Sequence, residues 1–337
     1  MTERREPRTG ANADAPVLTR SSSLAPVATE VLVEVDDARL AGTFWRPASD
    51  DAAAAVLMVP GSGAADRDND VFFPPIRDHL LGEGIAVSSF DRRGVGESSG
   101  DWRDQGFDDL AADVMACLRY LRETGLADPA RLGLFGHSQG GWIVLEAAAR
   151  DTEVAFVITN SGPGVSPGEQ ERFAAWNGMV RAGLDSATIE SLLPDFDRLL
   201  AMLRAGERFE AFARLFEDPD QAGRMKTLGL ALVPEDAETW GVMCRIMDHD
   251  PRPAMARLRC PVLAIFGAED PIVPVAKSVS VYREVVGRHT TLDVEVLPGA
   301  GHRIEVDASE ELAPGYLQLI DGWIRRTVSQ AAAGRAS

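Results

Sequence analysis

One serine stands between two glycines in Gly136-His137-Ser138-Gln139-Gly140, after the apolar run 132–135 and before the helical stretch "GWIVLEAAAR". Strand, tight turn and helix with G-x-S-x-G in the turn is the pattern of a nucleophile elbow. Small neighbours let the turn close, the hydroxyl stands clear at the strand's C-terminal end, and the helix start favours negative charge developing there. The competing reading is a serine that only caps the next helix. A serine hydroxyl is a weak nucleophile and needs a base. Of five histidines, His79 falls inside a helix, His137 beside the serine diverges from it, His249 lies in a loop far downstream, and His289 in a polar segment. His302, in the loop "GAGH" after "LDVEVLP", falls at the C-terminal edge of a strand, where open α/β sheets bind ligands. It is the expected base. A carboxylate must hold the imidazole. "CPVLAIFGAEDPIVP" offers Glu269 and Asp270; Asp270 is preferred because Pro271 favours a rigid extended turn, with Glu269 as the spare. The order Ser138, Asp270, His302 suits acyl transfer through a covalent acyl intermediate. Its oxyanion needs N–H donors, expected from the backbone of Gln139 and of Ser62, with Gly61 and Gly63 letting the second loop come close to a substrate.

The elements that must carry these residues alternate. "TEVLVEVDDARLAGTFWRP" reads as a hairpin turning at Asp36-Asp37, and "AAAAVLMVPG", "GIAVSSF", "RLGLFG", "VAFVITN", "CPVLAIFG" and "LDVEVLPG" as further strands. Helical stretches separate them, with Phe107, Leu110, Val114, Cys117, Leu118 and Leu121 at helical spacing in one. The expected fold is therefore α/β, a doubly wound mostly parallel sheet. From about 164 to 259 only helical periodicity appears, bordered by "SGPGVSPG" and "DHDPRPA", which marks a helical cap inserted into the core. The expected division is a disordered tail over 1–24, core over 25–163, cap over 164–259, core again over 260–328, and a frayed end over 329–337.

Taken in order, "VPGSGAADRD", "FDRRGVGES", "LFGHSQGG", "IFGAEDPIV" and "PGAGHRI" resemble the α/β-hydrolase superfamily over roughly 30–160 and 255–328. The nearest branch is that of bacterial esterases related to serine-aminopeptidase-like hydrolases, which carries a "GSG…DRD" loop. The resemblance implies a Ser-His-Asp hydrolase with a helical cap. Pro60 stands where "HG" is common in relatives, a departure at the oxyanion loop. The cap carries no family signature, so no substrate carries over.

Totals narrow the partners. A net charge of −18 argues against nucleic acid and anionic lipid surfaces. No apolar run is long enough to span a membrane, and the first 26 residues lack the apolar centre of a secretory signal. Three cysteines, Cys117, Cys244 and Cys260, form no metal spacing and no complete disulfide set, so a cytoplasmic setting is expected. Asp66, Asp68 and Asp70 alternate like a calcium loop, but Val71 and Arg77 occupy the positions of its glycine and glutamate. No metal and no cofactor is expected. The expected partner is a small-molecule acyl substrate, with Arg67, Trp176, Trp240 and Met243 as candidate contacts. Arg92 and Arg93 are expected to anchor their loop by ion pairs. Nothing in the sequence fixes an oligomeric state. The expected activity is cleavage of a carboxylic ester or related acyl bond. A lactonase, thioesterase, peptidase or acyltransferase would use the same groups, and a non-catalytic small-ligand receptor on the same scaffold is the reading from another class.

Overall fold

The computed structural model describes residues 25–49, 52–228, 234, 236–306 and 311–336, so the tail expected over 1–24 lies outside the described residues. The chain opens with the hairpin β1 (Val27–Val35) and β2 (Ala38–Arg46), paired antiparallel about a turn at Asp36-Asp37. There follow β3 (Ala54–Val59), α1 (Phe73–Gly82), β4 (Ile85–Phe90), α2 (Phe107–Glu123), β5 (Leu132–His137), α3 (Gln139–Arg150) and β6 (Val157–Asn160). The helical insert comes next: α4 (Pro167–Arg181), α5 (Ser186–Arg204), α6 (Phe209–Ala213), α7 (Pro219–Leu228), α8 (Ala237–Ile246) and α9 (Arg252–Met255). The sheet resumes with β7 (Val262–Gly267), α10 (Val275–Val285), β8 (Leu292–Leu297) and the closing α11 (Tyr316–Ala336).

The eight strands lie in the order β1-β2-β4-β3-β5-β6-β7-β8, and every pairing from β4 to β8 is parallel. Parallel strands need helical crossovers, and helices on both faces bury the sheet twice over. That is why β3 to β7 are mostly apolar and buried at every residue, with β3 and β7 apolar throughout. Within β3, side-chain alternation sends Ala55, Leu57 and Val59 to one face and Ala54, Val56 and Met58 to the other. The first face packs on α2, α3 and α10; the second packs on α1 and α11, through Ile76, Leu80, Tyr316, Ile320 and Ile324. Each such aliphatic side chain contributes about 1.5–3 kcal/mol on burial. Among the described residues no helix is long and apolar enough to cross a membrane.

The insert has a core of its own. Met179, Ile189, Leu192, Phe196, Leu199, Leu203, Phe212, Trp240 and Met243 form a cluster separate from those on the sheet. Two borders differ from expectation. Met255 and Leu258, fully buried, belong to the core cluster on α2 and α3, so the cap packing stops before the end of the segment 164–259. Helix α11 continues through much of the expected frayed end, where the alanine-rich run favours helix even without burial.

Candidate active site

At the end of β5 the backbone makes the turn that its residue types permit. Ser138 has φ +53° and ψ −118°, a conformation few non-glycine residues adopt. A Cβ on Gly136 would sit 2.2 Å from the Gly140 carbonyl oxygen, and one on Gly140 would sit 2.3 Å from that of Val59. Both positions must therefore be glycine for β5 to enter α3. Ser138 occupies the N-cap of α3 but its side chain makes no cap hydrogen bond. The capping reading thus loses its basis: the hydroxyl points instead to His302, with Oγ 3.0 Å from Nε2.

His302 is fixed through both its ring and its backbone. Its Nδ1 lies 2.8 Å from Asp270 Oδ2. The Ser161 hydroxyl donates to the His302 carbonyl at 2.7 Å, from a residue itself at φ +50°. Buried Ile304, two residues on, is at φ +61°, a strained setting for a β-branched residue. The Asp270 side chain is fully buried, and its Oδ1 accepts the N–H groups of Ile272 at 2.8 Å and Val273 at 2.9 Å. Those bonds compensate a buried carboxylate that would otherwise be costly. The spare, Glu269, is exposed. The two loops meet because Gly267, at the end of β7, passes the Ala300 and Gly301 carbonyls so closely that a Cβ would lie 2.1 Å from the latter.

Beside this row His137 is buried, its Nδ1 3.1 Å from Asn160 Nδ2 and its ring 5.2 Å from that of His302. Burial pushes it well below the usual histidine range, so it remains neutral and does not oppose a proton on His302. Gln139 is the first residue of α3, and N–H groups in a helix's first turn have no intrahelical acceptor. Across from it runs the loop after β3. Its Gly61 N–H donates to Asn69 Oδ1 at 3.2 Å. Ser62 is exposed beside Ser138 in a cavity of about 350 Å³ that also contains Gly61, Asn69, Gln170, Glu171, Ala174, Ile272, His302 and Arg303. The cap supplies Gln170, Glu171 and Ala174 from α4. That helix starts where Ser166 accepts the Glu169 N–H, and it docks through Asn177 Nδ2 on the Pro271 carbonyl at 2.9 Å.

Several expected substrate contacts lie elsewhere. Arg67 is consumed by ion pairs: its guanidinium holds Asp91 and Glu30 at 2.7 Å and donates to Thr43. Trp240 and Met243 face the cap's own core, Trp240 stacked on Phe212 at 5.0 Å and donating to the Glu207 carbonyl. Trp176 is exposed and lines a separate outward cavity with Phe173 and Lys277. Gly63 stands behind the loop, where its carbonyl accepts from Arg92 at 3.0 Å. Asp66 Oδ1 accepts the Asp68 and Asp70 N–H groups, a turn held by hydrogen bonds within itself.

Of the two arginines, only Arg93 makes the expected ion pairs, with Asp113 and Asp37. Arg92 is buried and donates to the carbonyls of Gly61 at 2.7 Å and Gly63 at 3.0 Å, and to Gln139 Oε1 at 2.9 Å. Burial lowers its pKa to about 10, which leaves it charged at neutral pH. It ties the loop after β3 to the start of α3, a role the sequence reading missed. Asn69, Gln170 and Glu171 were missed as well; only Asn69 had a local signal, its place in the loop carrying "DRDND".

Residues 51–309 match the family model described as Serine aminopeptidase, S33. An uncharacterized protein of Mycobacterium tuberculosis is 30% identical over 138 residues, 41% of this chain and 47% of the relative, so the match spans about half of that relative's length. The 3-oxoadipate enol-lactonase 2 of Acinetobacter baylyi is 27% identical over 210 residues, 62% of this chain and 69% of the relative. The solved structure of a Pyrococcus furiosus esterase superposes with a TM-score of 0.58 at 16% identity, covering 90% of this chain and 91% of the esterase, a likeness of fold.

Proposed function

Since the chain belongs to the serine aminopeptidase S33 family of α/β-hydrolases, we propose that it cleaves a carboxylic ester or related acyl bond through an acyl-enzyme on Ser138. The observation that carries this reading is the unbroken row of contacts, Ser138 Oγ to His302 Nε2 at 3.0 Å and His302 Nδ1 to Asp270 Oδ2 at 2.8 Å. In that row Ser138 attacks the carbonyl carbon while its proton passes to His302 Nε2. Asp270 fixes the tautomer and stabilises the imidazolium. The oxyanion is received by the backbone N–H groups of Gln139 and Ser62. Gly61 is not the second donor, because its N–H already serves Asn69. The bond to the alcohol then breaks, with the proton from His302 going to the departing oxygen. Water repeats the sequence on the acyl-enzyme, giving the acid and restoring the Ser138 hydroxyl. A lactone, as a cyclic ester, follows the same course.

Labelling with a fluorophosphonate and turnover of p-nitrophenyl acetate test the reading together. Wild type is expected to be labelled and active. Ser138→Ala should lose labelling and lower kcat by roughly 10⁴–10⁶-fold with its melting curve retained. Persistent turnover in that variant would remove Ser138 from the reaction, and a well-folded wild type that is neither labelled nor active would favour a receptor.

A further inference from the structure

The loop after β3 brings Ser62 beside Ser138, and the peptide units on either side of Gly61 decide where the Ser62 N–H points. Glycine alone would leave those units free to swing. Three hydrogen bonds stop them. Arg92 Nη2 donates to the Gly61 carbonyl at 2.7 Å and to the Pro60 carbonyl at 3.4 Å. The Gly61 N–H donates to Asn69 Oδ1 at 3.2 Å. Both units are trans, and a trans peptide is planar with its C=O and N–H on opposite sides. The unit 60–61 is therefore gripped at both ends, by Arg92 on one side and Asn69 on the other. The unit 61–62 is gripped only at its carbonyl, which turns the Ser62 N–H away from the buried guanidinium. Among the described residues that N–H has no partner. Ser62 and Asn69 line the cavity over Ser138, whereas Arg92 lies behind the loop.

The turn that holds Asn69 does not itself call for asparagine. Its φ is +46°, and Asp70 follows at +61°, two successive non-glycine residues in the left-handed region. Asparagine tolerates that region better than most residues, and glycine occupies it without strain. What glycine lacks is the acceptor. The Asn69 backbone is tied down, its N–H donating to the Asp66 carbonyl at 3.1 Å and its carbonyl accepting from the Phe72 N–H at 3.3 Å. Phe72 is buried against His137 of the elbow, with ring centroids 4.4 Å apart. The Asn69 amide thus reaches Gly61 from a base packed on the nucleophile's own turn.

Resting on the acyl-transfer reading above, we propose that Asn69 is a positioning residue of the oxyanion site: its Oδ1 anchors the Gly61 N–H, and that anchor keeps the Ser62 N–H aimed at the oxygen that becomes negative when Ser138 attacks. Asn69 touches no reacting atom. Its bond is already made in the free protein, so the donor it aims needs no reorganisation as charge develops. Loss of the anchor weakens binding of the transition state more than binding of the substrate, and so acts on kcat.

The test compares wild type with Asn69→Gly, which removes the acceptor and suits a positive φ. Turnover of p-nitrophenyl acetate is measured per active site titrated with a fluorophosphonate. Removing an oxyanion donor outright costs about 10²–10³-fold in kcat; misaiming one should cost about 10–100-fold, with KM within about threefold of wild type. The Ki of 1,1,1-trifluoro-2-butanone, whose carbonyl adds the serine to give an oxyanion, should rise by the factor by which kcat/KM falls. Asn69→Ala also lacks the acceptor and should show the same loss; it carries the test if the glycine variant does not fold. An unchanged kcat in either folded variant, an effect on KM alone, or a fall in kcat without the matching rise in Ki would each overturn the proposal. Where Ser138 is labelled and the variants turn over acetate as fast as wild type, this inference falls and the acyl-transfer reading stands. Absence of both labelling and turnover in wild type removes the two together.

Discussion

Glu171 holds a carboxyl group in the cavity against its solvation. Burial raises its pKa to about 7, while the Gln170 amide and the nearby His302 pull the other way. Arg303 lines the same cavity but is directed to Asp70, 3.1 Å away. A carboxyl whose folded pKa lies above its unfolded value of about 4.3 binds more protons in the native state between the two. Stability therefore falls as pH rises through that window, and the loss is complete above about 7. Glu171→Gln, neutral at every pH, should match wild type near pH 4.5 and exceed it at pH 8 by about 2–3 kcal/mol, a rise of roughly 3–4 °C in Tm for a chain of 337 residues. Equal melting shifts at both pH values would show that the carboxyl is not held neutral by the fold. Residue identity alone hid this group, because a glutamate on an exposed helix face and one turned into a cavity read the same.

Arg92 shows how elements fix one another. Its planar guanidinium reaches carbonyls of the loop after β3 and the side chain at the start of α3, so one group sets the separation of the two proposed oxyanion donors. A lysine carries the charge but not the fork. Arg92→Lys should lower kcat roughly 10–100-fold with a smaller change in KM, read from steady-state kinetics on p-nitrophenyl acetate. A change confined to KM would mean that the loop does not depend on Arg92 for its alignment. The strands and crossover helices were legible because burial on two faces demands mostly apolar segments, and the elbow because Gly136 and Gly140 have no substitutes. The proposed Ser138, Asp270 and His302 each follow a strand end, which is what singled them out in the sequence, with Glu269 left as an alternative to Asp270. The sides of residues in irregular or all-helical segments were not legible. Arg92 and Arg93 are adjacent, yet one turns to carbonyls within and the other to Asp113 and Asp37. Trp240 and Met243 were expected at a ligand because a helical insert of this length was not foreseen to fill a core of its own.

Among the described residues many surface acids are paired with arginines. Exposed pairs such as Arg204–Asp248 and Arg172–Asp197 contribute about 0–1 kcal/mol each. Against a net charge of −18 the long-range repulsion is the larger electrostatic effect. Raising NaCl from 10 to 200 mM shortens the screening length from about 30 Å to under 10 Å. Differential scanning calorimetry should then show Tm rising by a few degrees, and a fall would mean that the ion pairs outweigh the repulsion. The separation of the hydrophobic clusters has an evolutionary reach. A lineage can rewrite the interior of the insert without disturbing the machinery beneath it, and can alter α4 alone to change which molecules are admitted. Diversification can then proceed by exchanging a roof over an unaltered floor, at little hazard to the packing of either part.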